Sequence, residues 1–257
     1  MTPVQSLQDG LGYRAKIGVL VPYTNTIAQP EYEAFRPAGV TNHVARMEQP
    51  ASTRTANDMD AYRQNLERGT GFVKRALDQV LPCAPQMIVL GHSIDSFRGG
   101  LKGSEAMRRD LEEYTKGIPV TLSSNAFLAA FKALGVGLKL AAVTPYWPPG
   151  DEQVREFFTD AGYDVCKIIG LKAQSATAIA AISPSTVISA LKDLAVENPD
   201  VIIQPGTNLP TARLSADASL WLGIPVISCN TATYWHALRS LGLRDRLDGY
   251  GPLFAEH

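Results

Sequence analysis

The chain has 257 residues, 45% of them hydrophobic and 19% charged, with a formal net charge of −1. That is the balance of an ordinary globular protein, long enough for one large domain or two lobes of about 100–150 residues each. Near-neutrality removes the electrostatic case for nucleic acid or an anionic membrane surface, and no apolar run approaches the roughly 20 residues of a membrane span.

The opening "MTPVQSLQDGLGYRAK" lacks the apolar core of a signal peptide. Residues 1–14 read as an arm, frayed or wrapped on a partner. Cys83, Cys166 and Cys229 are scattered, with no CxxC pair and no histidine at zinc-ligand spacing. Neither a disulfide framework nor a structural metal is expected, and a cytoplasmic setting fits best.

From there strand-like and helix-like segments alternate. "KIGVLVP" (16–22) reads as a strand, 56–81 as a helix, "QMIVLG" (86–91) as a strand, and 104–116 as a helix with Ser104 as its N-cap. "IPVTLS" (118–123) is strand-like, and "NAFLAAFKALG" (125–135) is a helix closed by Gly135. Strand signals return at 139–145, 163–170, 200–205 and 224–229, separated by helix-like 151–162 and 185–198 and followed by 231–242. Continuous apolar strands between helices predict α/β architecture with parallel sheets covered on both faces.

The two halves also resemble each other. "KIGVLVPY" (16–23) parallels "KLAAVTPY" (139–146), "PQMIVLGHS" (85–93) parallels "PDVIIQPGTN" (199–208), and 117–135 parallels 223–242. Three matches in one order predict two pseudo-symmetric, doubly wound lobes with a cleft between the carboxyl ends of their strands. The cleft-lining loops are then 21–26, 91–97, 144–147 and 205–211, flanked by 123–125 and 229–233. They are rich in Ser, Thr, Asn and Tyr, with backbone bared by glycine. Such groups hold a small carboxylate in an uncharged pocket of donors. No dinucleotide fingerprint follows any strand and no Walker A sequence is present, so a cofactor-free site for a small acid leads.

"IGVLVPYTNT", "LGHSIDSFRGG", "TPY", "PGTNLPT" and the terminal "GYGPLF" resemble the maleate cis-trans isomerases and arylmalonate decarboxylases of the aspartate/glutamate racemase superfamily. The resemblance covers nearly all of the chain from about residue 15. It implies lobe one from about 15–120 plus 228–257, lobe two over 121–227, no cofactor, and a homo-oligomer. It also implies two cysteines facing each other across the substrate, one per lobe. By motif those positions fall on Gly91 and Gly206, so neither a thiol proton pair nor thiolate addition is available. Arylmalonate decarboxylases already have glycine at the first position and keep the second cysteine. The same matching assigns carboxylate binding to Asn25, Ser93, Tyr146 and Thr207, with Asn208 and Ser123–Ser124 behind them.

A proton donor must then come from elsewhere. His92 follows the first glycine, and an ordinary imidazole titrates near 6.5; Tyr146 could donate from the opposite lobe. Tyr23, the repeat mate of Tyr146, is expected to narrow the pocket, while two glycines are expected to free volume for a bulkier substrate or water. Asp95 either orients His92 or is a solvated loop carboxylate; Arg98 reads as a structural salt bridge or a substrate attractor. Trp147 either packs or walls an aryl-sized pocket. His236 reads as core or interface, and Cys229 as a small buried hydrophobe that could approach the cleft. Three functions stay open: a decarboxylase-like lyase working through an enediolate, an isomerase or racemase using His92 and Tyr146, and a non-catalytic carboxylate-binding relative.

Overall fold

A computed structural model describes residues 9–48 and 71–257. Two four-stranded parallel sheets organise them. The first runs β2-β1-β3-β4, built from β1 (Ala15–Pro22), β2 (Val40–Met47), β3 (Met87–Leu90) and β4 (Val120–Thr121). The second runs β6-β5-β7-β8, from β5 (Lys139–Thr144), β6 (Asp164–Gly170), β7 (Val201–Gln204) and β8 (Val226–Ser228). The orders are the same in each half, and Lys16 and Lys139 sit at matching places in the central strands. The internal repeat is thus a repeat of topology. Every residue of β3 and β7 is buried, as expected for parallel strands with helices on both faces.

The helices are α1 (Ala28–Phe35), α2 (Gly71–Val80), α3 (Ser93–Ser96), α4 (Gly100–Tyr114), α5 (Ser123–Leu134), α6 (Pro148–Asp160), α7 (Pro184–Ala195), α8 (Ala212–Leu222), α9 (Cys229–Ser240) and α10 (Pro252–Glu256). Gly135 closes α5 at φ +62°, the left-handed stop its sequence predicts. Helix α4 departs from expectation. It starts at Gly100 behind Gly99 at φ +68°, so Ser104 lies inside the helix, where its hydroxyl meets Ser124 Oγ at 2.6 Å. Of the helix expected over 56–81, residues 56–70 lie outside the described residues, as do 1–8 of the expected arm.

One apolar cluster joins the halves, from Ile17 and Val89 through to Leu140 and Ile203. Its aromatic part runs Phe97–Phe157 (5.4 Å between ring centres), Phe127–Phe158 (6.0 Å) and Phe131–Phe158 (5.7 Å). Truncating one such buried ring costs about 3–5 kcal/mol, so this seam fixes the strand ends of both sheets relative to each other.

Candidate active site

At the carboxyl ends of β1, β3, β5 and β7 four loops meet around a half-open hollow of about 400 Å³, mouth included. The β1 loop supplies Pro22, Thr24 and Asn25, and the β3 loop His92, Ser93 and Ile94. The β5 loop supplies Pro145 and Tyr146, and the β7 loop Gly206, Thr207 and Asn208. Ala176 and Ile179, from the segment between β6 and α7, complete the wall. Sequence reasoning gave those two no role; Asn208 Nδ2 donates to the Ala176 carbonyl at 2.8 Å and holds them there. No lysine or arginine lines the hollow among the described residues.

The polar groups lace the two halves together. Asn25 Oδ1 accepts from the Ile27 and Ala28 amides (3.0 and 2.9 Å), capping the start of α1. Its Nδ2 donates to Thr207 Oγ1 at 3.1 Å, and that hydroxyl donates to the Gly91 carbonyl at 3.1 Å. The Thr207 amide donates to Ser93 Oγ at 3.3 Å. Tyr146 spends its proton on the Pro205 carbonyl at 2.9 Å, so in the 2.8 Å pair with Ser93 the serine is the donor. Behind this layer Asn230 Nδ2 holds the Thr207 carbonyl (2.9 Å) and Glu31 Oε2 (2.6 Å), and Glu31 Oε1 accepts from the Ala212 amide at 3.1 Å. Burial raises the Glu31 carboxyl above its ordinary range. Each hydroxyl in the chain can rotate to a new acceptor, so the same donors can turn to an incoming carboxylate.

His92 is 12% exposed on the hollow's wall, with Nδ1 2.9 Å from Asp95 Oδ2. The contact puts the ring at ion-pair distance from a buried carboxylate oxygen. Arg98 Nη2 pairs with Asp95 Oδ1. Burial pushes the Asp95 carboxyl up, but His92 and Arg98 outweigh it and hold it below its ordinary value. Asp95 is 5% exposed and orients His92; the solvated-loop alternative is excluded, and Arg98 is the clamp on its other oxygen.

Several sequence-based expectations need correction. Tyr23 is 51% exposed, bonded toward Glu48, and does not line the hollow. The turn in which the Asn25 amide reaches the Pro22 carbonyl (3.0 Å) carries its side chain outward. Ser124 is spent on Ser104 and Ser123 on Cys229, so neither reaches the cleft. Trp147 donates Nε1 to the Ala173 carbonyl at 3.0 Å and is outside the lining. The glycines free no volume: a Cβ on Gly91 would meet Val21 Cγ1 at 2.8 Å and the Leu20 carbonyl at 3.0 Å, and one on Gly206 would meet Pro145 Cγ at 2.7 Å. Cys229 is fully buried with its thiol donating to Ser123 Oγ at 3.1 Å. Burial pushes that thiol up to about 12, against the pull of Ser123, so it carries no thiolate. His236 is half-buried beside Thr121 Oγ1 (3.1 Å), away from the hollow.

A family model described as arylmalonate decarboxylase matches residues 58–254. The maleate isomerase of Geobacillus stearothermophilus is 26% identical over 250 residues, covering 93% of this chain and 97% of that protein. The arylmalonate decarboxylase of Bordetella bronchiseptica is 27% identical over 174 residues, covering 65% and 70%. Among solved structures, Nocardia farcinica maleate cis-trans isomerase bound to TRIS superposes with a TM-score of 0.83 at 24% identity, covering 94% of this chain and 98% of that one. A crystal structure of arylmalonate decarboxylase gives 0.70 at 22%, covering 93% and 98%.

Proposed function

The chain belongs to the arylmalonate decarboxylase family, and on that premise we propose that it is a cofactor-free, decarboxylase-like lyase acting on a small malonate-type acid. The carbon–carbon bond to one carboxyl group breaks, carbon dioxide leaves, and the electron pair remains as an enediolate on the other carboxyl. Ser93, Tyr146, Thr207 and Asn25 supply the uncharged donors for that developing charge. One such preorganised donor is worth about 3–4 kcal/mol in the transition state. The proton that quenches the carbanion leaves Nε2 of doubly protonated His92, solvent returns a proton to that nitrogen before the next turnover, and Asp95 stays beside Nδ1 throughout.

The observation that carries this reading is the 2.9 Å His92–Asp95 pair on the wall of the hollow, directly after Gly91. Ile94, Ala176 and Ile179 on the same wall suit a substrate with an apolar substituent. The same two proton carriers, His92 and Tyr146, also support a second reading, an isomerase or racemase, favoured by the likeness to maleate isomerases over 93% of the chain. Incubation with aryl- and alkylmalonates and with maleate in deuterated water separates the two. Carbon dioxide release with one deuterium at Cα supports the lyase. Exchange at Cα or double-bond isomerisation without gas supports the isomerase. Tight binding with neither would sink both and leave a carboxylate-binding protein.

A further inference from the structure

We propose that Asp151 is a positioning residue for Tyr146, holding that ring in the hollow through the hydroxyl of Thr144. The proposal rests on the reading of Tyr146 as a site group. Thr144 ends β5, and its hydroxyl bonds Asp151 Oδ1 while accepting the Tyr146 amide at 3.1 Å. An ionised carboxylate has no proton to give, so Thr144 must be the donor to it. Its lone pairs are then left for the Tyr146 N–H. Protonated Asp151 can donate instead, and the hydroxyl loses its fixed orientation.

The surroundings are built for this pair. The Leu171, Lys172 and Ala173 amides donate to the carbonyls of Thr144 (2.8 Å), Tyr146 (3.1 Å) and Pro145 (3.1 Å), so the loop carrying the ring is clamped from β6. Gly170 makes the close approach possible. A Cβ there would collide with Asp151 Oδ2 and stand 2.9 Å from the Tyr146 carbonyl. The charged groups facing Asp151 are Lys172 beyond β6 and, on its own helix, Arg155 and Glu152. Burial raises the carboxyl to about 6, against the pull of Thr144, Lys172 and Arg155, which puts the switch between the two hydrogen-bond patterns within an accessible pH range. Nothing in this chain of contacts passes through His92 or Asp95.

The test needs no substrate, so a failure of the enzymatic reading leaves it intact. Full-length protein is labelled with [4-¹³C]tyrosine in a His92→Gln background, which removes the imidazole of the hollow from the measurement. The Tyr146 resonance is identified by its loss in Tyr146→Phe and followed from pH 4.5 to 8.5. The expected result is a titration of the Tyr146 signal with a midpoint near 6, lost in Asp151→Asn and lost again in Thr144→Val. Asparagine keeps the shape and an acceptor for Thr144, so a folded protein is expected, checked by the other tyrosine resonances staying in place. A flat Tyr146 signal in the starting protein, or a titration that survives either substitution, overturns the proposal.

Discussion

Tyr23 and Tyr146 are the same residue in the two copies of one repeat, yet Tyr23 is 51% exposed and Tyr146 3%. Both follow a proline at the end of a central strand. In the first half the chain turns so that Asn25 can cap α1, and the tyrosine swings out toward Glu48. In the second half Trp147 leads straight into Pro148 and α6, and the ring folds inward to Ser93 and Pro205. The carboxylates behind the two loops diverge in the same way. Asp95 is held below its ordinary value by His92 and Arg98 against the push of burial, whereas at Asp151 burial prevails and raises the carboxyl to about 6. Duplication supplied the frame; the turn chemistry at each strand end then made one half carry an imidazole and the other a phenol. Environments that push paired groups apart mark acid–base assignments.

The comparison can be broken most forcefully at Asp95. Asp95→Asn removes the carboxylate charge beside His92 and is expected to lower turnover by about 10²-fold or more, with KM little changed. Equal loss in kcat and in the binding of a non-reacting malonate analogue would reduce Asp95 to a folding role.

Gly206 gives the next effect. Gly206→Cys pushes a Cβ against Pro145 and Gln204, an overpacking expected to cost about 1–3 kcal/mol. At this size that lowers Tm by about 2–4 °C per kcal/mol. A variant as stable as the parent, with a thiol that reacts rapidly with alkylating reagents, would mean the position opens onto the hollow after all.

Stability against pH sharpens the contrast between buried groups. Asp151 is raised from 3.8 to about 6 by burial, so the folded state binds its proton more tightly than the unfolded one. Its contribution is full below about 4 and lost as pH rises through 6. His236 is lowered from 6.5 to about 4 by burial and by Arg108. Its contribution is full above 6.5 and lost as pH falls toward 4. Each is worth on the order of 2 kcal/mol, and they oppose each other between pH 4 and 6. Urea unfolding at pH 4.5 and 7.5 is expected to show Asp151→Asn stabilised relative to the parent at the higher pH and His236→Gln at the lower. Parallel curves for all three proteins would contradict these environments. The smallest effect belongs to Tyr23→Ala, expected within ±0.5 kcal/mol in stability and without change in turnover. A clear loss of activity there would restore Tyr23 to the site.

Much of the frame was legible in the chain because buried parallel strands are continuous apolar runs, as in β3 and β7. Strand β2 escaped notice because Thr41, Asn42, His43 and Arg46 interrupt it at a half-buried edge. Helix α8 escaped because Ala212, Ser215 and Ala218 bury small side chains with little apolar contrast. The strand-end loops could be located from their glycines and hydroxyls, but what each side chain does there depends on a partner distant in sequence. Ser124 finds Ser104 and Trp147 finds Ala173, and no local pattern encodes either. Tyr23 was misplaced by symmetry itself, since the repeat predicts equivalence and the turn cancels it.

We propose that His92, beside the uncharged donors Ser93, Tyr146, Thr207 and Asn25, delivers the proton and that no thiol takes part. The most direct test measures carbon dioxide release from a malonate panel by the Cys83→Ser/Cys166→Ser/Cys229→Ala protein, with and without His92→Gln. The account predicts that the cysteine-free protein turns over at the parent rate and that His92→Gln lowers that rate by at least about 10²-fold. Activity that vanishes with the cysteines and survives the loss of His92 would contradict it.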